Sequence, residues 1–275
     1  MAPHFLNKLQ GKRVLIIGGS TGIGFAVAKA ALEYGARVIL SSSNQTKIDA
    51  AIQRLQDHVQ DAAGLAPPEI EGRTCDLGKP ETLEENVKNL FEFATRDGKL
   101  LLDHVVFTAG DFYQLPRIDT VAIEDIARIS MVRVTGCIFV AKHLPAYISQ
   151  STESSFTVTA STTQWRPMKG WAVLNGAAGG IQPLTRGLAV DLKPVRVNCV
   201  TPGFVRTELF DGFPEEAREG MFAAMRVDSV TETVGTPEDL AEAYLYLMKS
   251  SFATGSTVVV DGGRAIGDSK GSESR

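Results

Sequence analysis

Val14-Leu-Ile-Ile-Gly-Gly-Ser-Thr-Gly-Ile-Gly24 decides how this chain is read. Val14 to Ile17 are consecutive apolar residues, the pattern of a strand buried on both faces. Gly18, Gly22 and Gly24 follow at the spacing G-x-x-x-G-x-G, and an apolar helical face of Ile23, Val27, Ala30 and Ala31 begins at once. Glycine lets backbone approach a pyrophosphate without Cβ clashes, and a helix N-terminus offers that anion free N–H groups and a positive dipole end. Between a strand and a helix, the motif predicts a dinucleotide site on Gly18, Ser20, Thr21, Gly22, Ile23 and Gly24 rather than an ordinary tight turn.

The second strand, Ala36 to Ser41, runs into Ser41-Ser-Ser-Asn-Gln-Thr-Lys47. A site that prefers NAD places a carboxylate here for the adenosine ribose hydroxyls, and this stretch has none. Ser42, Ser43 and Asn44 offer hydrogen bonds to a 2′-phosphate and Lys47 offers charge, so the expected cofactor is NADP(H). Ser43 or Asn44 also suits the N-cap of a helix through Ile48, Ile52 and Leu55, and both roles can hold together.

The alternation continues. Strands are expected at Ile70 to Cys75, Leu102 to Thr108, Ser155 to Ala160, Val195 to Val200 and Ser256 to Val260. Helices are expected over Lys79 to Arg96, Val121 to Tyr147, Trp171 to Leu192 and Pro237 to Met248, with a surface loop from Asp61 to Pro68. Pro183 inside the Trp171–Leu192 run predicts a kink or widened turn, or a helix that starts only near Ile181. The order predicts one doubly wound α/β domain of the Rossmann type, with about seven parallel strands, over residues 1–266. Residues 204–235 form a substrate lid and 267–275 a loose polar tail. Ligands lie at the carboxyl ends of such strands, here Gly18, Ser41, Asp76, Ala109, Ser161 and Pro202.

Composition narrows the classes. The 275 residues carry a formal charge of −4, with 22% charged and 44% hydrophobic residues, so the chain is globular and lacks a basic footprint for nucleic acid or an anionic membrane. No apolar run reaches the ~18 residues of a membrane span, and Met1 to Gly11 has no signal-peptide core. Cys75, Cys137 and Cys199 lack metal-ligand spacing and do not suggest disulfides, so no metal and a reducing, cytoplasmic setting are expected. His4, His58, His104 and His143 are scattered and read as surface or structural residues rather than catalytic ones.

From residue 11 to 264 the chain resembles the short-chain dehydrogenase/reductase family. The shared residues are the glycine loop, Asp76, Thr108-Ala-Gly110, Ser161, Leu184-Thr-Arg-Gly-Leu-Ala-Val-Asp191, Arg196-Val-Asn198, Pro202-Gly-Phe-Val-Arg-Thr-Glu208 and Val260-Asp-Gly-Gly263. The resemblance implies that Asp76 and Leu77 meet the adenine and that Thr108, Ala109 and Gly110 lie along the cofactor. Pro202, Gly203 and Val205 would hold the nicotinamide amide, with Thr207 near the phosphates or amide. It also implies a homo-oligomer through the two long helices.

That family transfers hydride with Ser, Tyr and Lys. Counting back from Thr185-Arg186 and forward from Ser161 both put Leu174 at the Tyr position, and Ala178 at the Lys position. The family's helix asparagine is Arg133, which also borders the cofactor. Only Ser161 remains of the four. Losing the pair removes general acid catalysis of ~10²–10⁴-fold, yet a substrate that is already cationic, such as an iminium, accepts hydride without it.

The expected catalytic residues are therefore Arg133, for fixed donors and charge, Ser161, and Trp171, for a stacking face. Asp111 and Tyr113 are the nearest substitute proton donors. Phe112, Tyr113, Leu115, Trp165, Phe204, Leu209, Phe210, Phe213, Met221, Phe222 and Met225 suggest a bulky apolar small-molecule substrate, although Phe222 and Met225 equally suit a lid core.

Gly170-Trp-Ala-Val173, Arg133 and the missing pair resemble an atypical fungal subset from secondary metabolism. It includes the reductase/Diels–Alderases of bicyclic indole alkaloid pathways such as malbrancheamide and paraherquamide. Met168 stands where those carry an aspartate. The alternatives are a redox-silent cyclase or isomerase that keeps NADP(H) as scaffold, and a non-catalytic NADP(H) sensor.

Overall fold

β1 (Arg13–Ile17) is buried along its whole length. Its pleat sends Val14 and Ile16 into one core and Leu15 and Ile17 into the other. The computed structural model describes residues 5–61, 69–110 and 115–268. Among these, β2 (Arg37–Ser42), β3 (Ile70–Thr74), β4 (His104–Phe107), β5 (Ser155–Thr159), β6 (Arg196–Pro202) and β7 (Thr257–Val260) complete a seven-stranded sheet. Every pairing is parallel, in the order β3-β2-β1-β4-β5-β6-β7. The order reverses between β1 and β4, which opens a crevice at their carboxyl ends.

α1 (Gly22–Glu33) and α9 (Pro237–Lys249) cover one face, packing Val27, Ala31, Leu240 and Tyr244 on Val14 and Ile16. α2 (Gln45–Asp61) covers β2 and β3 through Ile48, Ala51 and Leu55. α3 (Leu83–Thr95) covers the other face with Val87, Leu90 and Phe91. It starts four residues later than the pattern predicts. Pro80 disfavours helical backbone at Lys79, and a turn from Thr82 N–H to Lys79 O precedes the helix.

The expected helix over Val121 to Tyr147 is not continuous. α4 (Ile123–Ser130) passes into a π-helical turn, Met131–Gly136, before α5 (Cys137–His143), and Pro145 ends the run in a 3-10 turn. Arg133 lies in the π turn.

The Trp171–Leu192 run divides into α6 (Ala172–Ala178) and α7 (Ile181–Asp191) around Gly179-Gly180. Pro183 is the third residue of α7, where its missing N–H costs no intrahelical bond. The proline therefore lies in the first turn of a second helix, not inside a kinked one.

Residues 204–235, expected as a substrate lid, carry a 3-10 turn, Glu208–Phe210, and α8 (Glu215–Val227). Gly267 and Asp268, expected in a loose tail, are fastened: Arg166 donates to Gly267 O and, at 2.8 Å, to Asp268 Oδ2. Asp111, Phe112, Tyr113, His4 and residues 62–68 and 269–275 lie outside the described residues. Among those described, no helix is long and apolar enough to cross a membrane.

Candidate active site

A cleft of about 770 Å³ opens at the carboxyl ends of the strands. Its first wall is the glycine loop. Gly18, at φ +90°, donates its N–H to Ser41 O at 2.8 Å, and a Cβ there would lie 2.6 Å from Ala109 N. A Cβ on Gly24 would lie 2.3 Å from Gly18 O. Thr108 Oγ1 lies 3.2 Å from both Ile17 O and Gly18 O. Loop and neighbouring strand end are thus packed backbone to backbone, which only glycine permits.

Thr21, the N-cap of α1, makes no side-chain cap bond. The Gly22 N–H instead donates to Glu208 Oε2 at 2.8 Å, so a carboxylate already sits where a helix N-terminus receives an anion. That carboxylate marks the Gly22 amide as an anion-accepting position, the chemistry a pyrophosphate would require of the loop.

Ser20, Thr21, Ile23, Ser42, Ser43, Lys47, Asp76, Leu77, Thr108, Ala109 and Gly110 also line the cleft, as do Pro202, Gly203, Val205 and Thr207. Asn44 does not. Its Oδ1 accepts the Lys47 N–H at 3.1 Å, which caps α2. Asp76 Oδ1 accepts the Gly78 N–H at 2.9 Å. Cys75 borders the cleft, but burial and then the nearby Asp76 push its thiol up to about 12, so it is no nucleophile at neutral pH. Burial likewise raises Cys137 to about 12 and Cys199 to about 11.

The three expected catalytic residues converge here. Arg133 packs its guanidinium on Gly110, where a Cβ would come within 2.5 Å of Nη1. Trp171 caps α6, and Ser161 opens the 3-10 turn after β5. Leu174 and Ala178 lie in the same wall. Sequence reasoning missed two neighbours: Thr163 Oγ1 lies 3.0 Å from Ser161 Oγ and donates to Asn175 Oδ1 at 2.8 Å. Asn175 is one helical turn after Trp171, so the spacing of α6 could have found it.

The apolar groups divide. Leu115, Phe204, Leu209 and Phe210 face the cleft, whereas Phe222 and Met225 are buried in the lid's own core, with Phe213 and Met221 against them. Phe210 and Phe222 meet edge to face at 5.4 Å. Trp165 is half-exposed and does not border the cleft. The described histidines are structural: His104 pairs with Ser155 Oγ at 2.9 Å, His58 with Glu33 and His143 with Glu84. Among the described residues no cluster of three His, Cys, Asp or Glu could hold a metal ion.

Known proteins resemble this chain in sequence and fold. An SDR-like Rossmann domain family matches residues 5–266. Short-chain dehydrogenase/reductase malC of Malbranchea aurantiaca is 42% identical over 258 residues, 94% of this chain and 96% of that one. Short-chain dehydrogenase/reductase ucsE of an Acremonium species is 37% identical over 270 residues, 97% of this chain and 100% of its own. The structure of the MalC reductase/Diels–Alderase from Malbranchea aurantiaca is similar at a TM-score of 0.87 and 40% identity, covering 94% of this chain and 98% of that one. The glycine loop, the reversed strand order and these matches together assign the chain to the short-chain dehydrogenase/reductase family.

Proposed function

We propose that this chain is an NADP(H)-dependent oxidoreductase of natural-product metabolism. It delivers hydride to a bulky apolar substrate of imine or iminium type, without a tyrosine–lysine proton relay. The observation that carries the reading is the wall of the cleft itself: Leu174 and Ala178 stand there, no tyrosine does among the described residues, and the one lysine is Lys47 on α2. The reductase names of the relatives support the class of reaction.

Gly18, Gly22, Gly24 and Thr21 would hold the pyrophosphate, with Ser42, Ser43 and Lys47 at the 2′-phosphate and Asp76 and Leu77 at the adenine. Thr108 to Gly110, Arg133, Pro202, Gly203, Val205 and Thr207 would hold the remainder. When bound, the reduced nicotinamide supplies a hydride. The protein's part is to orient the substrate on Trp171 and Ser161 and to exclude water with Phe204, Leu209 and Phe210. A substrate that arrives cationic needs no proton from the wall.

Titration with NADPH and NADH, followed by reduced-nicotinamide absorbance with a panel of cyclic imines and ketones, tests this. Tighter binding of NADPH, oxidised by imines and not by ketones, is expected. Binding without oxidation by any substrate would replace the reading with the scaffold or sensor alternatives. A ring closure coupled to reduction is the second reading, favoured by the likeness to a reductase/Diels–Alderase. Free, buried Cys75, Cys137 and Cys199 support a reducing, cytoplasmic setting, and exposed Ile123, Ile126 and Ile138 support a homo-oligomer.

A further inference from the structure

The hydrogens around Ser161 can be placed by elimination. Asn175 Nδ2 lies 3.0 Å from Thr163 O. A peptide carbonyl only accepts, so the amide nitrogen must face it and Oδ1 must face away. Asn175 Oδ1 lies 2.8 Å from Thr163 Oγ1. A carboxamide oxygen also only accepts, so the single Thr163 hydroxyl proton is committed there. Ser161 Oγ lies 3.0 Å from that same Thr163 Oγ1. With the threonine proton spent, this hydrogen bond requires Ser161 as donor. The Thr163 N–H closes the circuit by donating to Ser161 Oγ at 3.3 Å. Thr163 is 6% exposed, so water does not readily rescue another arrangement.

Ser161 borders the cleft, as Thr163 and Asn175 do, with its proton committed to Thr163 rather than free for a ligand. What it offers a ligand is its remaining lone pair. We infer that Ser161 recognises a hydrogen-bond donor on the substrate, an N–H of a protonated imine or amine, and disfavours a bare carbonyl oxygen. Thr163 and Asn175 are the positioning residues that fix this polarity. The inference deepens the hydride-transfer reading and rests on it for the identity of the cleft as substrate site. A lone pair facing N⁺–H makes a charge-assisted bond, whereas one facing a carbonyl oxygen is repelled. The opposite polarity would need Thr163 to give one proton to two acceptors.

Neutron diffraction from deuterium-exchanged crystals of the full chain reads the polarity directly. The deuteron on Ser161 Oγ is expected to point at Thr163 Oγ1, and a deuteron pointing into the cleft overturns the inference. The consequence is read by binding two probes of similar shape to the NADP⁺-loaded protein: tetrahydro-β-carboline, a secondary ammonium at neutral pH, and tetrahydrocarbazol-1-one, a neutral ketone.

The native protein is expected to favour the ammonium. Thr163→Val cannot accept the serine proton and releases it to the cleft, shifting the ratio of dissociation constants toward the ketone by about tenfold or more. Thr163→Ser retains the native ratio, and Ser161→Ala loses the preference. A ratio unmoved by Thr163→Val overturns the inference. Failure of the hydride-transfer reading looks different: no imine oxidises bound NADPH, while the deuteron position and the shifted ratio stand.

Discussion

Gly22 and Glu208, separated by 186 residues, are joined by a 2.8 Å hydrogen bond from the glycine N–H to the Glu208 carboxylate. The donor is the first amide of α1, and the acceptor sits in the 3-10 turn Glu208–Phe210. The cofactor placement proposed above puts a nucleotide phosphate on the same amide. Two anions cannot share it, so in that placement Glu208 must be displaced. Glu208→Ala is expected to tighten NADPH binding by about two- to fivefold, the worth of a charge at a helix end. Fluorescence titration checks this, and weaker binding in the variant would contradict it.

Gly24 has no room for a side chain, because a Cβ would lie 2.5 Å from Thr108 Oγ1 as well as against Gly18 O. Gly24→Ala is expected to cost about 1–3 kcal/mol of stability and to weaken nucleotide binding. A thermal melt and a titration on one preparation test both halves.

Lys47 is the cation of the cleft near the β2 end, beside Ser42 and Ser43. Lys47→Ala is expected to reduce the preference for NADPH over NADH by roughly tenfold while leaving NADH affinity nearly unchanged. Equal losses for both nucleotides would remove Lys47 from 2′-phosphate recognition.

Leu174→Tyr with Ala178→Lys puts a tyrosine and a lysine at the two cleft positions that the spacing from Ser161 and Thr185 assigns to the family's usual pair. For a precharged substrate the rebuilt pair has no proton to supply, so kcat/KM for imines is expected to change by less than about threefold. A gain approaching the ~10²-fold of general acid catalysis would show that the native reaction needs a proton.

His104 is buried beside Ser155, and desolvation lowers its pKa to about 3 from an ordinary 6.5. Above pH 6.5 it is neutral in both folded and unfolded chains and contributes nothing to pH dependence. As pH falls from 6.5 toward 3 only the unfolded chain takes the proton, so stability falls by up to ~1.4 kcal/mol per pH unit. Thermal melts between pH 7 and 4 should show the decline, and His104→Asn should flatten it.

The sheet is legible in the sequence where a strand is an apolar run ending in a turn residue, as in Val14 to Ile17 with Gly18 and Val105 to Phe107 ahead of Ala109-Gly110. β3 and β5 carry polar residues among their apolar ones, and their place in the alternation of strands and helices marks them. Other features leave no composition signal. The π turn at Arg133 adds backbone slack, not a residue type, so the stretch around it reads as plain helix. Gly179-Gly180 and Pro183 were visible, but a kinked helix and two helices share one pattern. Glu208 reaches Gly22 only through the fold. Asn175 was within reach of helical spacing from Trp171, but Thr163 is a polar residue of a kind common on any surface, and only its distances to Ser161 and Asn175 distinguish it.

The break at Gly179-Gly180 separates labour along the chain. α7 buries Ile181, Gln182 and Thr185 against the body of the protein, while α6 buries only Val173 and carries Trp171, Leu174, Asn175 and Ala178 at the cleft. A single continuous helix would transmit every change in one part to the packing of the other. Here a short segment of the cleft wall is set off from its anchor by two glycines. Side chains of α6 can therefore change the shape of the cleft at less cost to the sheet's packing than those of α7.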